Sequence, residues 1–265
     1  MLILGVDSSS KTASAAVSDD GKFLSEINSG GTVSHSENLL PMIDYALKTA
    51  GVCVRDINLF AVANGPGSFT GIRIGVATIK GLAFGGNNNC IGVSSLQALA
   101  YNFADLRSPL SLRDIPPRKY AKGALGGAII LPVIDARRRQ VYNAIFDDKL
   151  EYIEGERIIT VDELADELNL KYADKQIVFT GDGANLCYEH IKFPGKLKVP
   201  EILSRPSAGA LCKAALCEYN KRGAVSAARL APVLRRRDPP RVYILWMEGV
   251  PWRTERNLYR WISVT

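Results

Sequence analysis

Residues 2–28 read LILGVDSSSKTASAAVSDDGKFLSEIN, and this stretch decides the fold. Leu2 to Asp7 is a short apolar run closing on an acid and reads as a strand. Ala13 to Ser18 and Lys22 to Asn28 flank Asp20-Gly21. That dipeptide supplies the positive φ angles of a tight hairpin turn, so the stretch predicts a strand followed by a hairpin. Ser34-His35-Ser36-Glu37 has the spacing of a capping box that opens a helix. Leu39, Met42, Ile43, Ala46, Leu47 and Ala50 then recur at helical spacing up to Gly51, with Pro41 predicting a kink or a later start.

Ile57 to Ala63 reads as a buried strand, and Gly65-Pro66-Gly67-Ser68 as a turn. Thr70 is expected to cap a second helix running to about Phe84. Cys90 to Val93 is another strand, and Ser94-Ser95 caps a helix through Ala104. This order predicts a mixed α/β sheet. The second half partly repeats it. Ala128 to Asp135 is again a strand ending in an acid, with Val141 to Phe146 as its partner. Val161 to Leu168 is a short helix, Ile177 to Thr180 a strand before Gly181-Asp182-Gly183, and Ala208 to Lys221 a helix closed by Gly223. The expected organisation is an N-terminal lobe at 1–106, a Pro- and Gly-rich linker or insertion at 107–127, a C-terminal lobe at 128–236 and an atypical tail at 237–265.

The chain of 265 residues is 47% hydrophobic, which excludes wholesale disorder. Its net charge of +6 does not spread over the surface. From Arg235 onward there are seven Arg against Asp238, Glu248 and Glu255, leaving only +2 for residues 1–234. A pervasive phosphate-binding surface is therefore not expected of the body. The five Cys form no C-x-x-C pair and read as reduced core thiols of a cytosolic protein. No run approaches the ~20 apolar residues that span a bilayer.

Three constellations carry possible chemistry. Asp7, Ser8 and Ser9 lie between a strand and a hairpin, where an acid and small hydroxyls can hold a metal-bound phosphate; an ordinary strand-end turn is the alternative. The matching place in the second half, Ile134-Asp135-Ala136-Arg137, has no glycine to let a phosphate approach, which argues against ATP hydrolysis. Gly65 to Gly71 fails as a P-loop because no Lys-Ser or Lys-Thr follows its last glycine. In the following helix, Ile72, Val76, Ile79 and Ala83 form one apolar stripe. Gly71, Gly75, Thr78 and Leu82 form a second, of mostly small side chains, that either meets another helix or packs on the chain's own sheet. His35 and His190 are far apart in sequence, so no helical two-His metal clamp exists and neither catalytic residues nor a metal site are expected.

The segments Ile3 to Ser9, His35 to Pro41, Asn64 to Gly75 and Gly92 to Leu96, with Ile134 to Arg137 and Val141-Tyr142, resemble the TsaB (YeaZ) family. The resemblance is strong over 1–104, moderate over 130–147, weak over 177–235 and absent beyond. It implies the two-lobe α/β fold of the actin, Hsp70 and sugar-kinase superfamily, a ribonuclease H-like architecture. It also implies a cytosolic, non-catalytic subunit without a cofactor. Such a subunit pairs with TsaD, with TsaE joining, to make threonylcarbamoyladenosine beside the tRNA anticodon. The partner face would then comprise Leu40, Ile43, Gly71, Gly75, Thr78 and Leu82, and could form a homodimer without TsaD. A glycoprotease-like peptidase or a degenerate nucleotide-binding protein are the alternatives. The family's Pro-x-Tyr-Leu-Arg ending stands here as Pro232-Val233-Leu234-Arg235, without the Tyr. All three Trp follow that break. The tail reads as an appended packing segment, a basic–aromatic arm for tRNA, or the product of a shifted reading frame.

Overall fold

The computed structural model describes residues 1–30, 34–84, 89–105 and 127–234. The tail after Arg235 and almost all of the 107–127 stretch lie outside them. Strands β1 (Leu2–Asp7), β2 (Ser14–Asp19) and β3 (Lys22–Asn28) form an antiparallel meander. β4 (Leu59–Gly65) and β5 (Asn89–Ser94) extend it on the other side of β1 in parallel. With β11 (Val225–Ser226) on the far edge, the sheet order is β11-β5-β4-β1-β2-β3.

The second sheet repeats the plan. β6 (Ile129–Asp135), β7 (Gln140–Phe146) and β8 (Tyr152–Thr160) are antiparallel, while β9 (Ile177–Thr180) and β10 (Lys196–Lys198) continue in parallel, in the order β10-β9-β6-β7-β8. The two related halves read from the sequence are thus two sheets built on one scheme.

Helices α1 (His35–Ala50) and α2 (Phe69–Phe84) cover one face of the first sheet. There Leu4, Val6, Val17, Phe60 and Val62 pack with Leu39, Ile43, Ile72, Val76 and Ile79, all essentially dry. The opposite face takes Ile3, Ala16, Leu59, Ala61 and Ile91. α3 (Ser95–Ala100) bridges this sheet and the second one. Adjacent residues of β1 therefore bury on opposite sides, which explains its unbroken apolar run.

The other face is closed by the last long helix, α6 (Ala208–Arg222), through Ala208, Leu211, Cys212 and Ala215. Gly5 permits this crossing, because a Cβ there would lie 2.5 Å from Cys212 Sγ and 2.8 Å from the Ala208 carbonyl oxygen. α6 and β11 thus pack on the first sheet, although they fall in the stretch assigned from sequence to the C-terminal lobe. After β11 the chain runs back across the first sheet as a strap. Lys80 Nζ donates to the Ala228 and Leu230 carbonyls at 3.2 and 3.0 Å, and Val233 N donates to Asn64 O at 2.6 Å.

Helix starts differ from the reading in two places. Ser34 precedes α1 but makes no side-chain cap; its hydroxyl instead meets Ser36 Oγ at 2.6 Å. The capping box forms at Thr160 and Glu163, opening α4 (Val161–Lys171). α2 begins at Phe69, with Ser68 Oγ rather than Thr70 accepting from the first turn, at Gly71 N. α5 (Ala184–His190) follows β9, and none of the described helices is long and apolar enough to cross a membrane.

Candidate functional site

The end of β1 is where the first sheet meets α1 and α2, and its polar groups are committed inward. Asp7 is buried, and its Oδ1 accepts from Ser9 N at 2.8 Å and Ser9 Oγ at 2.7 Å. Its Oδ2 is buried without a hydrogen-bond partner. Burial pushes the Asp7 carboxyl above its ordinary range, against the opposing pull of the Ser9 bonds and of His35. Ser8 Oγ donates to Gly71 O at 2.8 Å, and Ser68 N donates to Ser9 O at 2.7 Å. Ser10 O accepts from His35 Nε2 at 2.8 Å.

Residues of the two sequence-based site assignments pack against one another, Ser8 against Gly71 and Gly75. Asp7, Ser8 and Ser9 come together at the end of β1, where α2 and the turn before it pack against them. A Cβ on Gly71 would overlap the Ser8 carbonyl oxygen, one on Gly67 would overlap that of Ser9, and one on Gly75 would lie 2.5 Å from Ser8 Oγ. The glycines thus admit this chain's own loop. Gly71 and Gly75 do not face an outside helix, Ile43 lies in the core, and Thr78 and Leu82 are half-buried. Of the six residues, Leu40 alone is well exposed, at 54%.

The outward stripe of α2 lies further round the helix: Thr70, Arg73, Ala77, Gly81 and Phe84 are all exposed. Their spacing of three or four makes one continuous line along the helix. A Cβ on Gly81 would meet nothing within 4 Å. Phe84 is 81% exposed, and Arg73 stacks on the Phe69 ring at 3.7 Å. On α1 the exposed apolar groups are Leu40 and Tyr45.

In the second half, Asp182 Oδ1 accepts from Asp135 N at 3.0 Å, and Asp135 Oδ1 accepts from Arg137 N at 2.7 Å. Burial, with the neighbouring Asp135 charge, pushes the Asp182 carboxyl up, against the pull of the Asp135 N–H and, less, of Lys11 and Arg137. Arg137, Arg138 and Arg139 follow one another with φ of 68°, 53° and 57°. The turn from β6 to β7 is therefore made of three left-handed arginines, where glycine would be unstrained. His190 is bonded within its own helix, to Leu186 O at 2.8 Å. Among the described residues no three His, Cys, Asp or Glu side chains gather as metal ligands.

Comparison with known proteins gives this arrangement its relatives. The family model of tRNA N6-adenosine threonylcarbamoyltransferase, TsaD, matches residues 29–112, which contain α1 and α2. The tRNA threonylcarbamoyladenosine biosynthesis protein TsaB of Escherichia coli is 34% identical over 142 residues, covering 54% of this chain and 53% of that protein. The TsaB of Bacillus subtilis is 30% identical over 190 residues, covering 70% of this chain and 73% of that one. The solved structure of YeaZ from Pseudomonas aeruginosa superposes with a TM-score of 0.69 at 24% identity, covering 88% of this chain and 98% of YeaZ, and so shares the fold. With the Bacillus subtilis protein 30% identical and matched over 73% of its length, the chain belongs to the TsaB family.

Proposed function

We propose that this protein is a non-catalytic subunit in the formation of threonylcarbamoyladenosine in tRNA, working in the cytoplasm beside a TsaD subunit and with TsaE joining the pair. The observation that carries the reading is the match to the Bacillus subtilis TsaB along most of its length. The site supports it. Where a phosphate-handling loop would need open backbone N–H groups, the loop after β1 is packed under α2, and Ser8 and Ser9 are buried.

The partner face follows from the same geometry. The TsaD model matches the segment holding α1 and α2, so a TsaD subunit carries a related helix pair. Two such pairs can meet like against like about a pseudo-twofold axis, the arrangement that also permits a homodimer. In this reading the contact is made by Leu40 and Tyr45 of α1 and by Thr70, Arg73, Ala77, Gly81 and Phe84 of α2. Ala77 and Gly81 leave the α2 backbone open to close approach.

Reconstitution tests this. The chain is combined with TsaD, TsaE and an enzyme supplying the activated threonylcarbamoyl group, and the modified nucleoside in tRNA is measured by mass spectrometry. Modification should require this chain, which alone should neither hydrolyse ATP nor cleave peptides. Full modification without it, or turnover by the chain alone that is lost in Asp7→Ala, refutes the proposal.

A further inference from the structure

The loop between β1 and β2 holds both helices of the proposed partner face, one side chain or carbonyl at a time. Ser8 Oγ bonds Gly71 O across 63 residues of sequence, and Ser9 O receives Ser68 N just before α2. Ser10 O receives the ring of His35, the first residue of α1, across 25 residues. Asp7, anchored by Ser9 in the dry interior, fixes the loop from below.

These bonds supply what the rest of the packing lacks. Apolar contact holds α1 and α2 on the sheet, but the hydrophobic effect is non-directional and does not by itself fix the rotation or axial position of a helix. Hydrogen bonds are directional and do fix it. α1 has the greater need, because its Ser34 makes no side-chain cap. The first turn of such a helix frays unless an outside group holds it. His35 supplies that hold by donating from Nε2 to a carbonyl oxygen of the loop, which also defines Nε2 as the protonated nitrogen. For α2, Ser8 is fully buried and cannot touch a partner, so any effect of its hydroxyl on binding must act through Gly71.

We infer that the β1–β2 loop sets the spacing and rotation of the two docking helices, with Ser8 and His35 as positioning residues for TsaD binding. The inference rests on the reading of α1 and α2 as the partner face. Losing either side chain should be mild for the fold. Gly71 O still receives its helical hydrogen bond from residue 75 by α-helical geometry, and Ser10 is only part-buried, so water can replace the ring.

The test uses the full chain with purified TsaD from the same organism. Affinity is measured calorimetrically for Ser8→Ala, His35→Ala, His35→Gln and Ala77→Arg, with melting temperatures and hydrogen–deuterium exchange recorded for each. Ser8→Ala and His35→Ala should each weaken TsaD binding about tenfold, with faster exchange in the first turns of α2 and α1 respectively. His35→Gln, which keeps an N–H donor, should recover binding to within about twofold of wild type. Ala77→Arg should abolish binding without changing exchange at the loop. If Ala77→Arg abolishes binding while Ser8→Ala and His35→Ala bind like wild type, the loop inference fails and the partner face stands. If Ala77→Arg binds like wild type, the partner face itself is wrong. Should Ser8→Ala not fold, the two His35 variants decide, and equal loss in both overturns a positioning role for the donor.

Discussion

Gly71 and Gly81 lie in the same helix, ten residues apart, yet alanine should have opposite effects at the two positions. At Gly71 the new Cβ would overlap the Ser8 carbonyl oxygen and stand 3.2 Å from Ser68 Oγ. The first obstacle is backbone, so no side-chain rotation removes it. The loop after β1 has to retreat, which breaks the Ser8–Gly71 and Ser9–Ser68 hydrogen bonds. Overpacking of this kind costs about 1–3 kcal/mol, and each lost hydrogen bond adds about 1 kcal/mol. Gly71→Ala should therefore destabilise by about 3–5 kcal/mol. For a chain of this size each kcal/mol moves the melting temperature by about 2–4 °C, so the midpoint should fall by roughly 6–20 °C. At Gly81 nothing stands within 4 Å, and alanine in a helix interior gains about 0.5–1 kcal/mol over glycine. That variant should melt a few degrees higher. Gly75→Ala offers an internal control, because its main obstacle is the Ser8 hydroxyl itself. Its cost should shrink by at least about 0.5 kcal/mol when Ser8 is already Ala. Urea unfolding followed by circular dichroism measures all six proteins, wild type and the Ser8→Ala single variant included. A Gly71→Ala variant as stable as Gly81→Ala would show that the glycine stripe does not pack on the loop, and the placement of α2 would be wrong.

Arg138 is exposed, left-handed and without a side-chain partner among the described residues, so Arg138→Gly should raise stability by roughly 0.5–1 kcal/mol, strain relief of about 1–2 kcal/mol being offset in part by the added freedom of the unfolded chain; an unchanged urea midpoint refutes it. Asp7 should make wild type lose stability relative to Asp7→Asn as pH rises. Its folded carboxyl lies above its unfolded value of about 3.9, so the native state keeps the proton longer, and the loss begins above that value and levels off above the folded one. Parallel urea melts from pH 4 to 8 that show no divergence would refute this. A chain ending at Leu234 should keep its melting temperature, as expected of a dispensable tail. One ending at Ser226 should lose at least about 2–3 kcal/mol, because buried Leu230 and the bonds to Lys80 and Asn64 go with the strap; equal melting of the two shortened chains refutes it.

Most of the first sheet was legible because β1, β4 and β5 are buried on both faces and the Asp20-Gly21 turn declares itself in two residues. β8 was missed for the opposite reason. Tyr152–Thr160 is an edge strand with Gly155 and three charges, and it is nowhere fully buried, so neither an apolar run nor a clean alternation marks it. The site was legible in its members but not in its direction. Spacing marks two stripes on α2, and both turn inward, the glycine stripe because it packs on Ser8, a residue 63 positions before Gly71. The return of α6 to the first sheet was equally hidden. Its small residues, Ala208, Ala214 and Ala215, suit a close approach to any sheet, and only Gly5 at the far end of the chain shows which.

That return has a consequence for how the protein is made. The first sheet begins with residue 2 but is not sealed on both sides until α6 has been synthesised, and its edge strand β11 comes later still. On a ribosome adding about 5–20 residues per second, β5 would wait on the order of ten seconds for its cover. Throughout that interval Ile3, Leu59, Ala61 and Ile91 present an apolar surface to the cell. The second sheet, whose described strands span only 129–198, has no such dependence and can form first. A fragment ending near residue 104, although it holds every residue of the proposed partner face, would expose one side of its sheet and should aggregate rather than bind.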